Sequence, residues 1–319
     1  MINKRVFVAG HKGLLGASIV KLLKEKNEKI YTAEKRKIDL KDYNSVFNFL
    51  KKNKINQIYL CAGIVGGIYA NQKFPVQFLE DNTLIQFNVI KACFELNIKK
   101  LIFYASSTIY SNKKNSSYRE DDISKSPITG NHACYSLSKI TAIKLAESYM
   151  EQYPEKKLDF KALVLCSLFG SNDKFDSDYS HALPAITKKA ILSKKKNLKN
   201  ITIWGSGTAK REFIHTSEVA TASHYLMHIN ARKFKKLLKN KIHINIGLGK
   251  DYSIIELCKM IFDIIDYRPK IIKDIKKPEG VKKKLLNTSL IKKLGWTPSK
   301  SFKKMLQKYV LNVEHNNKF

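Results

Sequence analysis

Lys4-Arg5-Val6-Phe7-Val8-Ala9-Gly10-His11-Lys12-Gly13-Leu14-Leu15-Gly16 is the stretch that decides the fold. The apolar run Val6–Ala9 reads as a short strand buried on both faces. The chain then turns through three glycines into Ala17–Lys24, where apolar residues recur at helical spacing. A glycine-rich turn between strand and helix leaves main-chain N–H groups uncovered and aims the positive end of the helix at an anion. In that context Gly10, Gly13 and Gly16 are expected to let the main chain hold the pyrophosphate of a dinucleotide, with Lys12, Leu14 and Leu15 as further cofactor contacts.

Outward from this turn the same rhythm repeats. Strands are predicted at Lys29–Ala33, Gln57–Ala62, Lys100–Ala105, Phe160–Leu165 and Lys241–Ile246, with helices around 46–52, 83–97 and 135–152. Alternation of this kind implies an α/β fold, a Rossmann-type doubly wound parallel sheet. After Gly170 the composition shifts toward Ser, Asp, Lys and Gly, with one helix near 182–193. Residues 251–319 then carry two or three helices and the turn Gly295-Trp296-Thr297-Pro298. The expected organisation is a nucleotide-binding domain from 1–170 plus about 217–250. A smaller C-terminal α/β substrate lobe comes from 171–216 plus 251–319.

The 319 residues are 44% hydrophobic with 16 Phe, enough for a large core. No apolar run is long enough to span a membrane and the start lacks a signal-peptide pattern, so a cytoplasmic protein with no membrane partner is expected. Five scattered cysteines without a Cys-x-x-Cys pair fit a reducing compartment and no structural metal. The net charge of +32 is spread along nearly the whole chain and matches no nucleic-acid motif. No nucleic-acid partner is expected, and the positive field would favour encounter with an anionic substrate.

Tyr135-x-x-x-Lys139 places a phenol and an ammonium one helical turn apart on one face. A free phenol has a pKa of ~10, and a nearby cation should lower it toward a useful acid and base. Ser106 ends the strand Lys100–Ala105 at the ligand edge of the sheet, where its hydroxyl can donate to a substrate carbonyl oxygen. The trio fits proton transfer to a ketone coupled to hydride transfer from a nicotinamide. Glu34 suits the ribose hydroxyl of NAD, whereas Lys12, Lys35, Arg36 and Lys37 suit the extra phosphate of NADP(H), and the cations outnumber it. Asp39 and Leu40 are expected beside the adenine, with Ala62, Gly63, Ala105, Leu165 and Leu168 as further cofactor walls.

With these motifs the chain resembles the extended short-chain dehydrogenases and, within them, the GDP-L-fucose synthase family. Segments carrying the resemblance are Val65-Gly66-Gly67-Ile68-Tyr69-Ala70-Asn71, Ser106-Ser107-Thr108-Ile109-Tyr110, Trp204-Gly205-Ser206-Gly207-Thr208, Arg211-Glu212-Phe213 and Lys277-Pro278-Glu279-Gly280. The resemblance implies ketone reduction by Ser106, Tyr135 and Lys139, with His181 as an acid/base histidine. It also implies contacts to a GDP-linked 4-keto sugar by Ser107, Lys189, Trp204, Arg211 and Glu279, and a homodimer.

One departure bears on the reaction. Thr108 stands where the family has a cysteine that works with the histidine in 3,5-epimerisation. Losing a positioned acid/base group costs roughly 10²–10⁴-fold, whereas reduction does not use this position. The expectation is an NADPH-dependent C4-ketoreductase of a 6-deoxy-hexose or heptose, with epimerase activity lost or weak. A bifunctional 3,5-epimerase/4-reductase is the main alternative, and an NAD-retaining nucleotide-sugar 4-epimerase a further one. Ser111 and the segment Leu165–Gly170 also depart from the family pattern near the sugar.

Overall fold

The structure is a computed structural model that describes residues 4–110, 117–123, 125, 127–175, 181–277 and 281–316. Its main sheet contains β1 (Arg5–Ala9), β2 (Lys29–Tyr31), β3 (Gln57–Leu60), β4 (Lys100–Ser106), β5 (Asp159–Leu165) and β9 (His243–Ile246). These run parallel in the order β2-β1-β3-β4-β5-β9. All six predicted strands are present. β3 and β9 are buried at every residue and β5 at nearly every one, as expected for strands covered on both faces.

The covering helices are α1 (Leu14–Glu25), α2 (Tyr43–Lys52), α3 (Ile68–Lys73), α4 (Pro75–Glu95), α5 (Ala133–Gln152), α6 (Ala182–Lys195), α7 (Thr216–His228) and α8 (Ala231–Leu238). On one face α1 packs against α7, and on the other α4 packs against α2 and α5. Helix α4 starts at Pro75, eight residues before the expected onset. Proline at the first helical position is favourable. The buried polar residues Asn82, Gln86 and Asn88 had broken the apolar pattern that would have revealed its full length.

The remaining elements are β6 (Ser167–Phe169), β7 (Asn200–Trp204), β8 (Lys210–His215), β10 (Asp251–Ser253), β11 (Lys270–Asp274), β12 (Lys283–Lys284), α9 (Ile254–Ile264), α10 (Ser289–Leu294) and α11 (Phe302–His315). β8 pairs with β10, β12 and β6, and β7 with β11. Phe169, Leu183, Phe213, Leu257, Phe302 and Leu306 belong to a second apolar cluster, apart from the one beneath the main sheet. Leu286, Ile291, Leu294 and Trp296 join the main-sheet cluster, although they lie in the segment expected to build the second lobe. α10 packs on α8 and β9, which explains their position. Among the described residues no helix is long and apolar enough to cross a membrane.

Candidate active site

The strand order reverses between β1 and β3, and the crevice at their carboxyl ends is where such sheets bind ligands. Gly10 lies there with φ +80°, and a Cβ on it would come within 2.7 Å of the Ala62 backbone. Gly16 is packed as tightly, its Cβ position lying 2.2 Å from the Gly10 carbonyl oxygen. Gly13 is different: it is exposed, caps α1 with no side chain, and its Cβ position meets only the Gly10 oxygen. No acidic residue occupies the first turn of α1, so its free N–H groups face an open crevice without a competing carboxylate. This cradle fits a pyrophosphate. Leu15 is buried in the core and leaves only its main chain for a ligand, while Leu14 is half-buried.

Lys12 bonds Glu34 at 2.6 Å and Arg36 lies 3.5 Å from the same carboxylate. The lone carboxylate that could favour NAD is thus held by two of the expected cations. Both cations are largely exposed and free to turn toward a phosphate. Asp39 accepts from the Lys41 N–H, and the Leu40 carbonyl accepts from Asn88. Ala105 and Leu165 are buried at their strand ends, and Leu168 is half-buried in β6.

The three residues expected to be catalytic stand on β4 and α5. Ser106 closes β4, and its hydroxyl accepts from the Thr108 N–H at 3.3 Å. The Ser136 hydroxyl donates to the Thr108 carbonyl at 2.9 Å, anchoring the start of α5 beside this turn. Tyr135 sits one turn before Lys139, whose Nζ is 5.4 Å from the phenol ring centroid. Lys139 donates to Gln86 Oε1 at 3.2 Å. Gln86 in turn donates to the Asn82 carbonyl, and Asn82 grips both main-chain groups of Ile64. Gly63 is where this network meets the crevice, since a Cβ there would lie 2.7 Å from Asn82 and 3.7 Å from the Lys139 ammonium.

The electrostatics correct one expectation. Burial pushes the Tyr135 phenol up and lowers Lys139 to about 8. The ammonium does not acidify the phenol here, because it is itself desolvated and bound to Gln86. At neutral pH this is a phenol that keeps its proton beside a lysine that is still largely charged. Such a pair is poised to give a proton rather than take one.

Near the start of α5, two histidines and two cations lie close enough to influence one another. His181 stands at the start of α6, and desolvation lowers its pKa. His132 lies one turn before Tyr135. Desolvation, then Lys284, His181 and Arg211, lower its pKa to about 4. Lys284 is lowered to about 8 by burial and by Arg211, its register partner across β12 and β8. Arg211 also donates to the Val281 carbonyl at 2.6 Å. Beneath them Glu212 is almost fully buried and accepts from the Gly249 and Leu286 N–H groups at 2.6 and 2.9 Å. Burial raises its pKa to about 7.

Lys189 is exposed and donates to the Thr202 carbonyl, and Trp204 is half-exposed under the Lys277 ammonium at 5.5 Å. Ser107 is buried. Thr108 Oγ1 is buried with no hydrogen-bond partner. Ser111 and Glu279 lie outside the described residues. His132, Asn82 and Gln86 were missed from sequence, and Lys284, part of the segment Lys284-Leu285-Leu286 that also carries the resemblance, was given no role there. The polar pair Asn82 and Gln86, four residues apart in an apolar helix, was the available signal.

Residues 6–247 match the NAD dependent epimerase/dehydratase family. The chain belongs to that family. It is 34% identical over 318 residues to a GDP-L-fucose synthase of Sinorhizobium fredii, with 98% of each chain covered. Among solved structures it is similar to a GDP-6-OMe-4-keto-L-xylo-heptose reductase from Campylobacter jejuni (TM-score 0.91, 28% identity, 99% of each chain). It is also similar to a GDP-mannoheptose C4 reductase from Campylobacter jejuni with NADP bound (TM-score 0.87, 28% identity, 98% of this chain and 99% of that one). The family member described here is accordingly an NAD(P)-dependent oxidoreductase of the short-chain type.

Proposed function

We propose that this enzyme reduces the C4 ketone of a GDP-linked 4-keto sugar, a 6-deoxy-hexose or heptose, with NADPH, and that its 3,5-epimerase activity is lost or weak. The observation that carries the reading is Tyr135 with the Lys139 ammonium 5.4 Å from its ring, together with threonine, not a thiol, at position 108. The similarity to a C4 reductase with NADP bound supports both the cofactor and the reaction class.

When bound across Gly10–Gly16, NADPH supplies the hydride, and its extra phosphate suits Lys12 and Arg36. Ser106 donates a hydrogen bond to the C4 oxygen. Tyr135 delivers its proton to that oxygen as charge develops there, and the phenolate left behind is stabilised by the Lys139 ammonium. Gln86 holds the ammonium in place from below. Arg211, Lys284 and Lys189 supply cations for the diphosphate, and Trp204 offers a flat apolar face for the base.

Epimerisation next to the ketone needs one group to remove a carbon-bound proton and another to return one on the opposite face. His181 can serve as one of these, but a threonine hydroxyl is too weakly acidic and basic to serve as the other. Incubation with a GDP-4-keto-6-deoxy sugar and NADPH in deuterated water tests this. Cofactor oxidation without deuterium at C3 or C5 is the expected result; deuterium at either carbon restores the bifunctional reading. Thr108→Cys should introduce exchange.

The partner that fits the exposed apolar side chains Val76, Leu79, Leu84 and Phe87 of α4 with Leu137 of α5 is a second copy of the chain. Light scattering at micromolar protein should give the mass of a dimer.

A further inference from the structure

The edge of the sheet opposite the cofactor crevice carries a cluster that ketone reduction does not use. Helix α7 ends with His224 and His228, one turn apart on the same face, their ring centroids separated by 4.4 Å. Glu28, in the turn between α1 and β2, faces both: its Oε1 lies 3.2 Å from His224 Nε2 and 3.8 Å from His228 Nε2. Lys4, just before β1, reaches into the same spot. Its ammonium is 3.2 Å from Glu28 Oε1 and 2.8 Å from His228 Nε2.

Three details make this more than a surface ion pair. His228 Nδ1 lies 2.8 Å from the His224 carbonyl, which only accepts, so Nδ1 carries the hydrogen and Nε2 presents a lone pair. A ring nitrogen fixed by a backbone carbonyl is the usual support of a metal-binding histidine. Next, the Glu28 side chain is 8% exposed, yet its Oε2 has no hydrogen-bond partner. Finally, a cation already stands between carboxylate and imidazole, in the form of the Lys4 ammonium.

We propose that Glu28, His224 and His228 form a binding site for one divalent transition-metal ion of the zinc or cobalt type, which displaces the Lys4 ammonium. The three ligand atoms lie within 4.8 Å of one another. Bonds of about 2.0–2.1 Å in tetrahedral geometry need ligand atoms roughly 3.3 Å apart, so a small closing movement suffices. Two imidazoles with one carboxylate select zinc, cobalt or nickel over magnesium or calcium, which prefer an all-oxygen shell. Water completes the fourth position.

Burial lowers the pKa of both histidines. For Glu28 burial is the largest influence and raises the pKa, but the bonds from His224 and Lys4 outweigh it and the net shift is downward. His224 donates from Nε2 to the Glu28 carboxylate, which only accepts, so ligation through that nitrogen moves the ring hydrogen to Nδ1. Lys26 and Lys100 oppose cation binding from nearby. The bound ion would join the start of β1, the entry to β2 and the end of α7, making its binding energy part of the stability of the fold.

The test uses the full chain, free of any histidine tag and stripped with a chelator. Titration with Co²⁺ should give one ion per chain with the visible absorption of a tetrahedral site, and Zn²⁺ should displace it and raise the melting temperature. His224→Ala and His228→Ala should each weaken binding by more than roughly 100-fold, beyond the loss typical of outer-shell changes. Lys4→Met should tighten it by up to about fivefold, the worth of an exposed ion pair. Retained NADPH oxidation shows that each variant is folded. Absence of Co²⁺ binding by the unaltered chain, equal binding by the histidine variants, or weaker binding by Lys4→Met would overturn the assignment.

Discussion

The two walls of the active-site crevice are built from different materials. The cofactor wall is main chain: the Gly10 turn, the open Gly13 and the unpaired N–H groups of α1. The facing wall is side chain, with His132, His181, Arg211 and Lys284 arriving from segments far apart in sequence. A main-chain site needs glycine at fixed spacing and so announces itself in one short stretch. A side-chain site needs only the right charge at the end of a fold, and many spacings deliver it.

The contrast can be broken most sharply at the residue between the walls. Tyr135→Phe should lower NADPH oxidation on a GDP-4-keto sugar by roughly 10²–10⁴-fold with cofactor affinity unchanged. Survival of the rate would remove the proton donor from the mechanism. On the side-chain wall, Lys284→Met should raise the KM for the nucleotide sugar by roughly 10–100-fold, since a charged hydrogen bond contributes about 1.5–3 kcal/mol, with little change in the Kd of NADPH. A matching loss of NADPH affinity would mean that the two walls are not independent.

A pH series on kcat probes the pair between the walls without mutation, while the charge of Lys284, lost over the same range, is read in KM. With Lys139 lowered to about 8, its charge is present below that pH and lost above it, so kcat should fall about tenfold per unit above pH 8 while Tyr135 stays protonated. A flat profile to pH 10 would show that the ammonium is not needed. The smallest effect is expected at the solvent-exposed rim of the cofactor wall. Lys12→Ala with Arg36→Ala should reduce the preference for NADPH over NADH by about fivefold, as for weak exposed pairs.

The same distinction explains what the sequence made legible. The six main-sheet strands could be read because burial on both faces demands unbroken apolar runs such as Leu163-Val164-Leu165. β12 could not, because it is two lysines whose pairing to β8 depends wholly on tertiary context. β7 alternates buried and exposed residues and carried a readable signal that the composition shift around it obscured. Tyr135 and Lys139 were proposed from spacing and Ser106 from its place at a strand end, but their electrostatics were not legible. The rise of the phenol pKa follows from desolvation, which depends on Phe78 and the surrounding helices closing over the ring. The support of Lys139 by Gln86 and Asn82 was hidden for the related reason that buried polar side chains look like interruptions of a helix until their partners are placed.

Glu212 binds the strand that bears Arg211 to the segments on either side of it, through the N–H groups of Gly249 and Leu286. Because this one carboxylate secures the floor, the residues projecting above it need not hold the floor together. A lineage could exchange its sugar-facing side chains while inheriting the cofactor turn intact. Change would then proceed on the half of the crevice where it is cheap to the fold.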